Sequence, residues 1–194
     1  NFRVNLVNDY LSRVALSEEI KSYYKGRTIL VTGGAGAIGS NLSIAMSNLV
    51  GEDGMVIILD NLSAIKTDEP VDIPSLDNIL FVKGDVRSDI ALKRVFREKP
   101  SIVFHLAAFF ANQNSIDYPE ESAGVDINGI IKVLDYSQFT NIEKFVYASS
   151  GCAIYGSYGQ MPLKEDFISL HLTTPYQVNK TAGEMYSNFY YHHY

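Results

Sequence analysis

Two side chains near the end of the chain are placed to move a proton. In Tyr176-Gln177-Val178-Asn179-Lys180 a phenol and an ammonium stand at i and i+4, which on a helix puts them on one face. A free phenol titrates near 10 and is a poor base at neutral pH, but a neighbouring cation stabilises phenolate. Such a tyrosine can take the proton of a hydroxyl while hydride leaves the carbon that bears it. Spacing alone also describes an ordinary surface pair, so the rest of the chain has to decide.

A second constellation is built for a dinucleotide. Thr32-Gly33-Gly34-Ala35-Gly36-Ala37-Ile38-Gly39 reads both as Gly34-x-Gly36-x-x-Gly39 and as Gly33-x-x-Gly36-x-x-Gly39. Glycine suits a tight turn, close approach of the backbone to a pyrophosphate, and close helix–strand packing, since a Cβ would obstruct each. A helix opening at Gly36, Ala37 and Ile38 supplies unpaired N–H groups and partial positive charge to phosphates. Asp60, followed by Asn61, stands where a carboxylate accepts hydrogen bonds from the adenosine ribose hydroxyls. It would repel a 2′-phosphate, so NAD is expected rather than NADP. Asp85, in Lys83-Gly84-Asp85-Val86, is placed to meet the adenine amino group.

These residues need elements to hold them. Short apolar runs at 28–32 (TILVT), 55–59 (MVIIL), 79–82 (ILFV), 102–106 (IVFHL) and 144–148 (KFVYA) read as strands. Helices are expected at 37–49, 87–98 and 119–139, with a last one from Pro175 to the end. Continuous apolar strands separated by helices indicate parallel βαβ units covered on both faces. Right-handed crossovers then give an α/β fold, a Rossmann-type doubly wound parallel sheet. The stretch 61–78 holds Pro70 and Pro74 and is expected to be irregular. Ahead of the sheet, Tyr10, Leu11, Val14, Leu16, Ile20 and Tyr23 recur at helical spacing, which predicts one amphipathic helix over about 8–25. The chain thus divides into a helical extension, 1–26, and a dinucleotide-binding domain, 27–194.

Composition narrows the class. The 194 residues are 46% hydrophobic and 20% charged, with a formal net charge of −6. That balance offers no basic stripe for nucleic acid or an anionic membrane. Cys152 is the only cysteine, so no disulfide can form within the chain. No apolar run approaches the roughly 20 residues of a membrane helix, and the first residues lack the basic-then-apolar order of a signal peptide. A cytoplasmic protein is expected.

The order of motifs resembles the extended short-chain dehydrogenase/reductase family, in its nucleotide-sugar epimerase/dehydratase group. The likeness runs from about Thr28 to Tyr194. It rests on Thr32-Gly33-x-x-Gly36-x-x-Gly39, Asp60-Asn61-Leu62, Gly84-Asp85-Val86, His105-Leu106-Ala107-Ala108, Asn128-Gly129, Tyr147-Ala148-Ser149-Ser150 with Tyr155-Gly156, and Tyr176-x-x-x-Lys180. The resemblance implies tightly held NAD lined by Leu106, Ala107 and Ala108, with Tyr176 as general base. Lys180 would bind the nicotinamide ribose and favour the phenolate. It also implies a nucleotide-sugar substrate, a sugar-nucleotide domain beyond this chain, and a homodimer formed by helix packing.

Departures from the family pattern bear on the chemistry. Where a catalytic serine or threonine is usual, four residues before Tyr155, this chain has Gly151. Ser150 is assigned the substrate-oxygen contact, with Cys152 as the neighbouring alternative. The usual asparagine before Gly129 is Asp126. Dehydratases of the group carry an acid two residues before the tyrosine of Tyr-Gly, where this chain has Ala153, and Glu120, Glu121, Glu165 and Asp166 lie elsewhere. An acid-free position favours a 4-epimerase over a 4,6-dehydratase, and a non-catalytic NAD-binding regulator stays open as a third reading. His105 is expected to be structural, and His171, His192 and His193 lack the company of metal ligands, so no metal is expected.

Overall fold

The computed structural model describes residues 2–64, 73–109, 112–151, 162–164 and 167–194. Its centre is a five-stranded sheet in the order β3-β2-β1-β4-β5, parallel throughout. The strands are β1 (Thr28–Thr32), β2 (Met55–Asp60), β3 (Ile79–Lys83), β4 (Ile102–His105) and β5 (Lys144–Tyr147). The expected strands are all present, β2 and β3 each one residue longer and β4 and β5 each one residue shorter than read. The irregular character expected for 61–78 holds at 61–64 and 73–78, while Pro70 lies outside the described residues.

Both faces of the sheet are covered. On one, Leu30, Ile57, Leu59 and Val103 pack with Leu92, Val95 and Phe96 of α4 (Asp89–Phe96) and Val133 of α7 (Gly129–Phe139). On the other, Ile29, Val31, Val56 and Ile102 meet Met46 and Val50 of α3 (Ala37–Val50). Alternate residues of one strand thus enter opposite cores, which is why the strands read as unbroken apolar runs. Each fully buried Ile, Leu or Val contributes about 1.5–3 kcal/mol of transfer free energy.

Ahead of β1 the single expected helix is two, α1 (Phe2–Arg13) and α2 (Glu18–Tyr24). The break is a capping event: Ser17 is extended, and its hydroxyl accepts the Ile20 N–H at 3.3 Å. Ser17-Glu18-Glu19 is a helix start that the apolar spacing ran through. Val4 and Val7 of α1 pack on Ile44 of α3, and Tyr23 and Tyr24 of α2 join the α3-side core.

The expected helix over 119–139 is also divided. Pro119 opens α6 (Pro119–Ala123), a wide π turn spans Gly124–Asn128, and α7 follows. The Gly129 N–H bonds the Gly124 carbonyl, and Asp126 within this turn is 2% exposed. A short helix that the pattern did not show, α5 (Asn112–Asp117), precedes α6. The last helix, α8 (Pro175–His193), packs against α5, α6, the π turn, α7 and β5. No described helix is long and apolar enough to cross a membrane.

Candidate functional site

The sheet order reverses between β1 and β4, so a crevice opens outside their C-terminal ends, the usual place for a ligand in such sheets. Gly33 turns the chain there with φ +69°, and a Cβ on it would stand 2.7 Å from the Ala107 nitrogen. Gly39 admits no side chain either, since a Cβ would overlap the Gly33 carbonyl and lie 2.7 Å from the Gly34 Cα. Gly36 is the N-cap of α3, with no side chain bonded into the first turn. Ala37 and Ile38 are exposed beside it, so the helix start is left open to an anion.

Asp60 closes the turn from the other side. Its Oδ2 accepts the Ala35 N–H at 3.0 Å and its Oδ1 the Leu62 N–H at 2.7 Å. Leu62 holds a left-handed conformation, φ 64°. A carboxylate offers about four lone-pair sites, so Asp60 keeps acceptor capacity for a diol.

Next to it, Asp85 is less free than its place in the sequence implied. Arg87 donates to it through Nε and Nη2, both at 2.9 Å, and through its own amide at 2.8 Å, while Asn61 Nδ2 donates at 3.0 Å. The guanidinium beside it holds the carboxyl down at about 2. Arg87 Nη1 reaches Glu121 of α6 at 2.9 Å. Arg87 was not read as a site residue, although it lies one residue beyond the quoted Gly84-Asp85-Val86. Val86 is buried in the core beneath.

Leu106, Ala107 and Ala108 leave β4 half-buried and irregular, facing the glycine turn. Thr32 and His105 sit at paired ends of β1 and β4, with Thr32 Oγ1 2.8 Å from His105 Nδ1 and accepting the Ala107 N–H at 3.3 Å. Burial first, then the Lys180 charge, pushes His105 down to about 3, so it is neutral and structural in place. At the end of this loop the Phe109 N–H donates to Asp126 Oδ1 at 2.7 Å.

The start of α8 is set by a capping box. Thr174 Oγ1 accepts the Gln177 N–H and Gln177 Oε1 accepts the Thr174 N–H, both at 3.2 Å, with Pro175 in the first turn. The Tyr176 N–H donates to Ser115 Oγ of α5 at 3.0 Å, a second anchor. Lys180, one turn on, is 3% exposed; its ammonium donates to the Ala148 carbonyl at 2.9 Å. That nitrogen lies 5.8 Å from the Tyr176 ring centroid and 4.9 Å from that of Tyr147. Burial lowers the Lys180 pKa while Asp126 raises it. Tyr147, by contrast, is driven upward by burial and then by Asp126, so it stays a phenol.

Ser150 follows β5 on the same edge, half-buried. Ser149 Oγ, which sequence reasoning passed over, is buried without a hydrogen-bond partner among the described residues. Cys152, Ala153, Tyr155, Gly156, Glu165 and Asp166 lie outside the described residues.

The model of the NAD dependent epimerase/dehydratase family matches residues 29–194. UDP-glucose 4-epimerase of Mycolicibacterium smegmatis is 35% identical over 162 residues, 83% of this chain and 50% of that protein. An epimerase structure from the thermophilic methanogen Methanothermobacter thermautotrophicus superposes with TM-score 0.84 at 49% identity, over 91% of this chain and 51% of that one. A Thermus thermophilus UDP-glucose 4-epimerase in complex with NAD gives 0.71 at 32%, over 84% and 50%. The chain therefore spans about half the length of the relatives it matches.

Proposed function

The chain belongs to the NAD dependent epimerase/dehydratase family, and from that premise we propose that it is the cofactor-binding half of an NAD-dependent nucleotide-sugar 4-epimerase. The observation that carries this reading is the Tyr176–Lys180 pair on α8, anchored through Ser115 and Ala148, at the crevice lined by the glycine turn. Relatives named as UDP-sugar 4-epimerases support a uridine diphosphate hexose as substrate.

The residues fit the dinucleotide. Gly33 and Gly36 leave the α3 N-terminus open for the pyrophosphate, with Ala37 and Ile38 in its first turn. Asp60 and Asn61 would hold the adenosine ribose, and Asp85 and Val86 the adenine. Leu106, Ala107 and Ala108 would form the wall below the nicotinamide side. Bound NAD would supply a reversible hydride acceptor.

The protein's own part is proton control. Tyr176 takes the proton of the sugar 4-hydroxyl as its C4–H bond breaks, and returns it when hydride is restored to the opposite face of the 4-keto sugar. Lys180 stays an ammonium, stabilises the phenolate and donates to the nicotinamide ribose. Ser150 donates to the substrate oxygen. The exposed apolar face of α8, with Val178, Met185, Tyr186 and Phe189, supports pairing of two such helices in a homodimer.

The test offers UDP-, dTDP-, GDP- and CDP-hexoses to the intact protein in deuterated water, with proton NMR of the products. A C4 epimer without solvent deuterium, abolished in Tyr176→Phe, is expected. A product short of one water would make the protein a dehydratase, and near-normal turnover by Tyr176→Phe would remove the tyrosine from its role.

A further inference from the structure

Asp126 is a carboxylate in the wall of the site, 2% exposed. It stands on the π turn between α6 and α7, and its two oxygens are tied to different elements. Oδ1 accepts the Phe109 N–H at 2.7 Å, at the end of the loop that leaves β4. Oδ2 accepts the Ser122 hydroxyl at 3.1 Å. Ser122 in turn accepts Asn179 Nδ2 at 3.0 Å. Burial pushes the Asp126 carboxyl up from its ordinary value, while the Phe109 amide, the Lys180 charge, Ser122 and Asn179 pull it down; as a carboxylate it accepts on both oxygens. Ser122 and Asn179 are themselves 0% and 4% exposed.

A buried charge needs a counter-charge. Lys180 on α8 interacts with it electrostatically and directly follows Asn179 in the relay. Tyr147 of β5 stays a phenol, and His105 of β4 is neutral. Tyr176 and Glu184 are the other ionisable groups of α8 near Tyr147. Arg87 comes near Gly124 but is paired with Asp85 and Glu121. Among the described residues Lys180 is the buried cation and makes no ion pair; its hydrogen bond goes to the neutral Ala148 carbonyl.

We propose that Asp126 is a charged positioning residue: its carboxylate, held by the Phe109 amide and the Ser122–Asn179 relay, is the counter-charge that keeps Lys180 an ammonium beside Tyr176. The proposal rests on the reading of Tyr176 and Lys180 as the proton-handling pair. Asparagine in this place would keep the shape and lose the charge.

The sign follows from the charges. Burial of Lys180 disfavours the ammonium, and an anion opposes that. Removing the anion lets Lys180 lose its proton at lower pH, and Tyr176 then loses its electrostatic partner. A purely structural role for Asp126 would scale activity without moving its pH dependence.

The test is Asp126→Asn in the intact, NAD-loaded protein, with two readouts. In lysine labelled with 13C at Cε, the Lys180 resonance (identified by its loss in Lys180→Arg) should titrate at distinctly lower pH than in the parent. In the sugar-nucleotide assay, the alkaline limb of kcat should move the same way. The activity of D126N relative to the parent should fall about tenfold between about pH 7 and pH 9, the change produced by a one-unit displacement. Identical Lys180 titrations in the two proteins would overturn the proposal. A parent that turns over no sugar nucleotide, with the lysine titration still displaced, would remove the epimerase reading and leave the charge pair standing. Should D126N fail to fold, the Asp126 carboxyl carbon of the parent decides. A charged carboxylate at about pH 7 is expected, and a protonated one there overturns the proposal.

Discussion

Thr32 and His105 face each other across the two strands between which the sheet order reverses, with Thr32 Oγ1 2.8 Å from His105 Nδ1. The same threonine oxygen accepts the Ala107 N–H at 3.3 Å, so one hydroxyl is shared between the imidazole and the backbone. The crevice thus has a pinned floor: the ends of β1 and β4 and the first residues of the loop that leaves β4 share one hydroxyl.

That pin should make the protein acid-sensitive. His105 is fully buried, and burial holds its pKa at about 3 in the fold, against about 6.5 in an unfolded chain. Between those values the unfolded state binds a proton that the native state does not, so stability rises with pH there and falls on acidification. The loss should begin below about pH 6.5, at about 1.4 kcal/mol per pH unit. Denaturant unfolding at a series of pH values measures it. His105→Asn should remove this component of the slope, and an unchanged slope would show that carboxylates account for all of it.

Gly183 reverses the ordinary rule for glycine in a helix. In an exposed helix interior Gly→Ala stabilises by about 1 kcal/mol. On α8, however, a Cβ at Gly183 would overlap the Tyr147 hydroxyl and stand 2.5 Å from its Cζ. Gly183→Ala should therefore destabilise by about 1–3 kcal/mol, the usual cost of overpacking. It should also lower kcat, because α8 carries Tyr176 and Lys180. Thermal unfolding and turnover of the same variant check both. A rise in Tm would mean that α8 and β5 are not packed as described.

How much of this was legible depends on the range of the interaction. The strands, the glycine turn and Asp60 were readable because each rests on local pattern: apolar runs, or a turn whose backbone needs no Cβ. Ser17 shows local chemistry misread, a cap hidden by apolar residues that kept helical spacing on both sides. The π turn at Gly124–Asn128 was not readable, since its one-residue excess matters only once α8 and the β4 loop pack against it. The same holds for the contact of Arg87 with Glu121 of α6, 34 residues away, although its bonds to Asp85 span only two residues.

Arg87 is the residue through which adenine recognition should be adjustable. It holds Asp85 in a fork from Nε and Nη2, a geometry that lysine cannot reproduce. Arg87→Lys should raise the Kd for NAD about threefold, a modest effect because the pair is partly exposed and water screens it. Nicotinamide mononucleotide, which lacks the adenine, should bind unchanged. Calorimetry with both ligands separates the cases, and a parallel loss for both would place Arg87 outside the adenine end.

Asp60 should decide between the two dinucleotides. Its carboxylate is held by the Ala35 and Leu62 amides, so it cannot turn away from an incoming 2′-phosphate, and no arginine or lysine follows it in Asn61-Leu62-Ser63 to bind one. Asp60→Asn keeps the size and removes the repulsion. It also loses a charge-assisted acceptor for the ribose diol, a bond worth about 1.5–3 kcal/mol. The Kd for NAD should rise at least about tenfold, whereas that for NADP should fall or hold, so the preference narrows from the NAD side. Titration of both cofactors against both proteins measures the ratio. If NAD and NADP weaken together by the same factor, Asp60 serves only to brace the glycine turn, and the selectivity has another source.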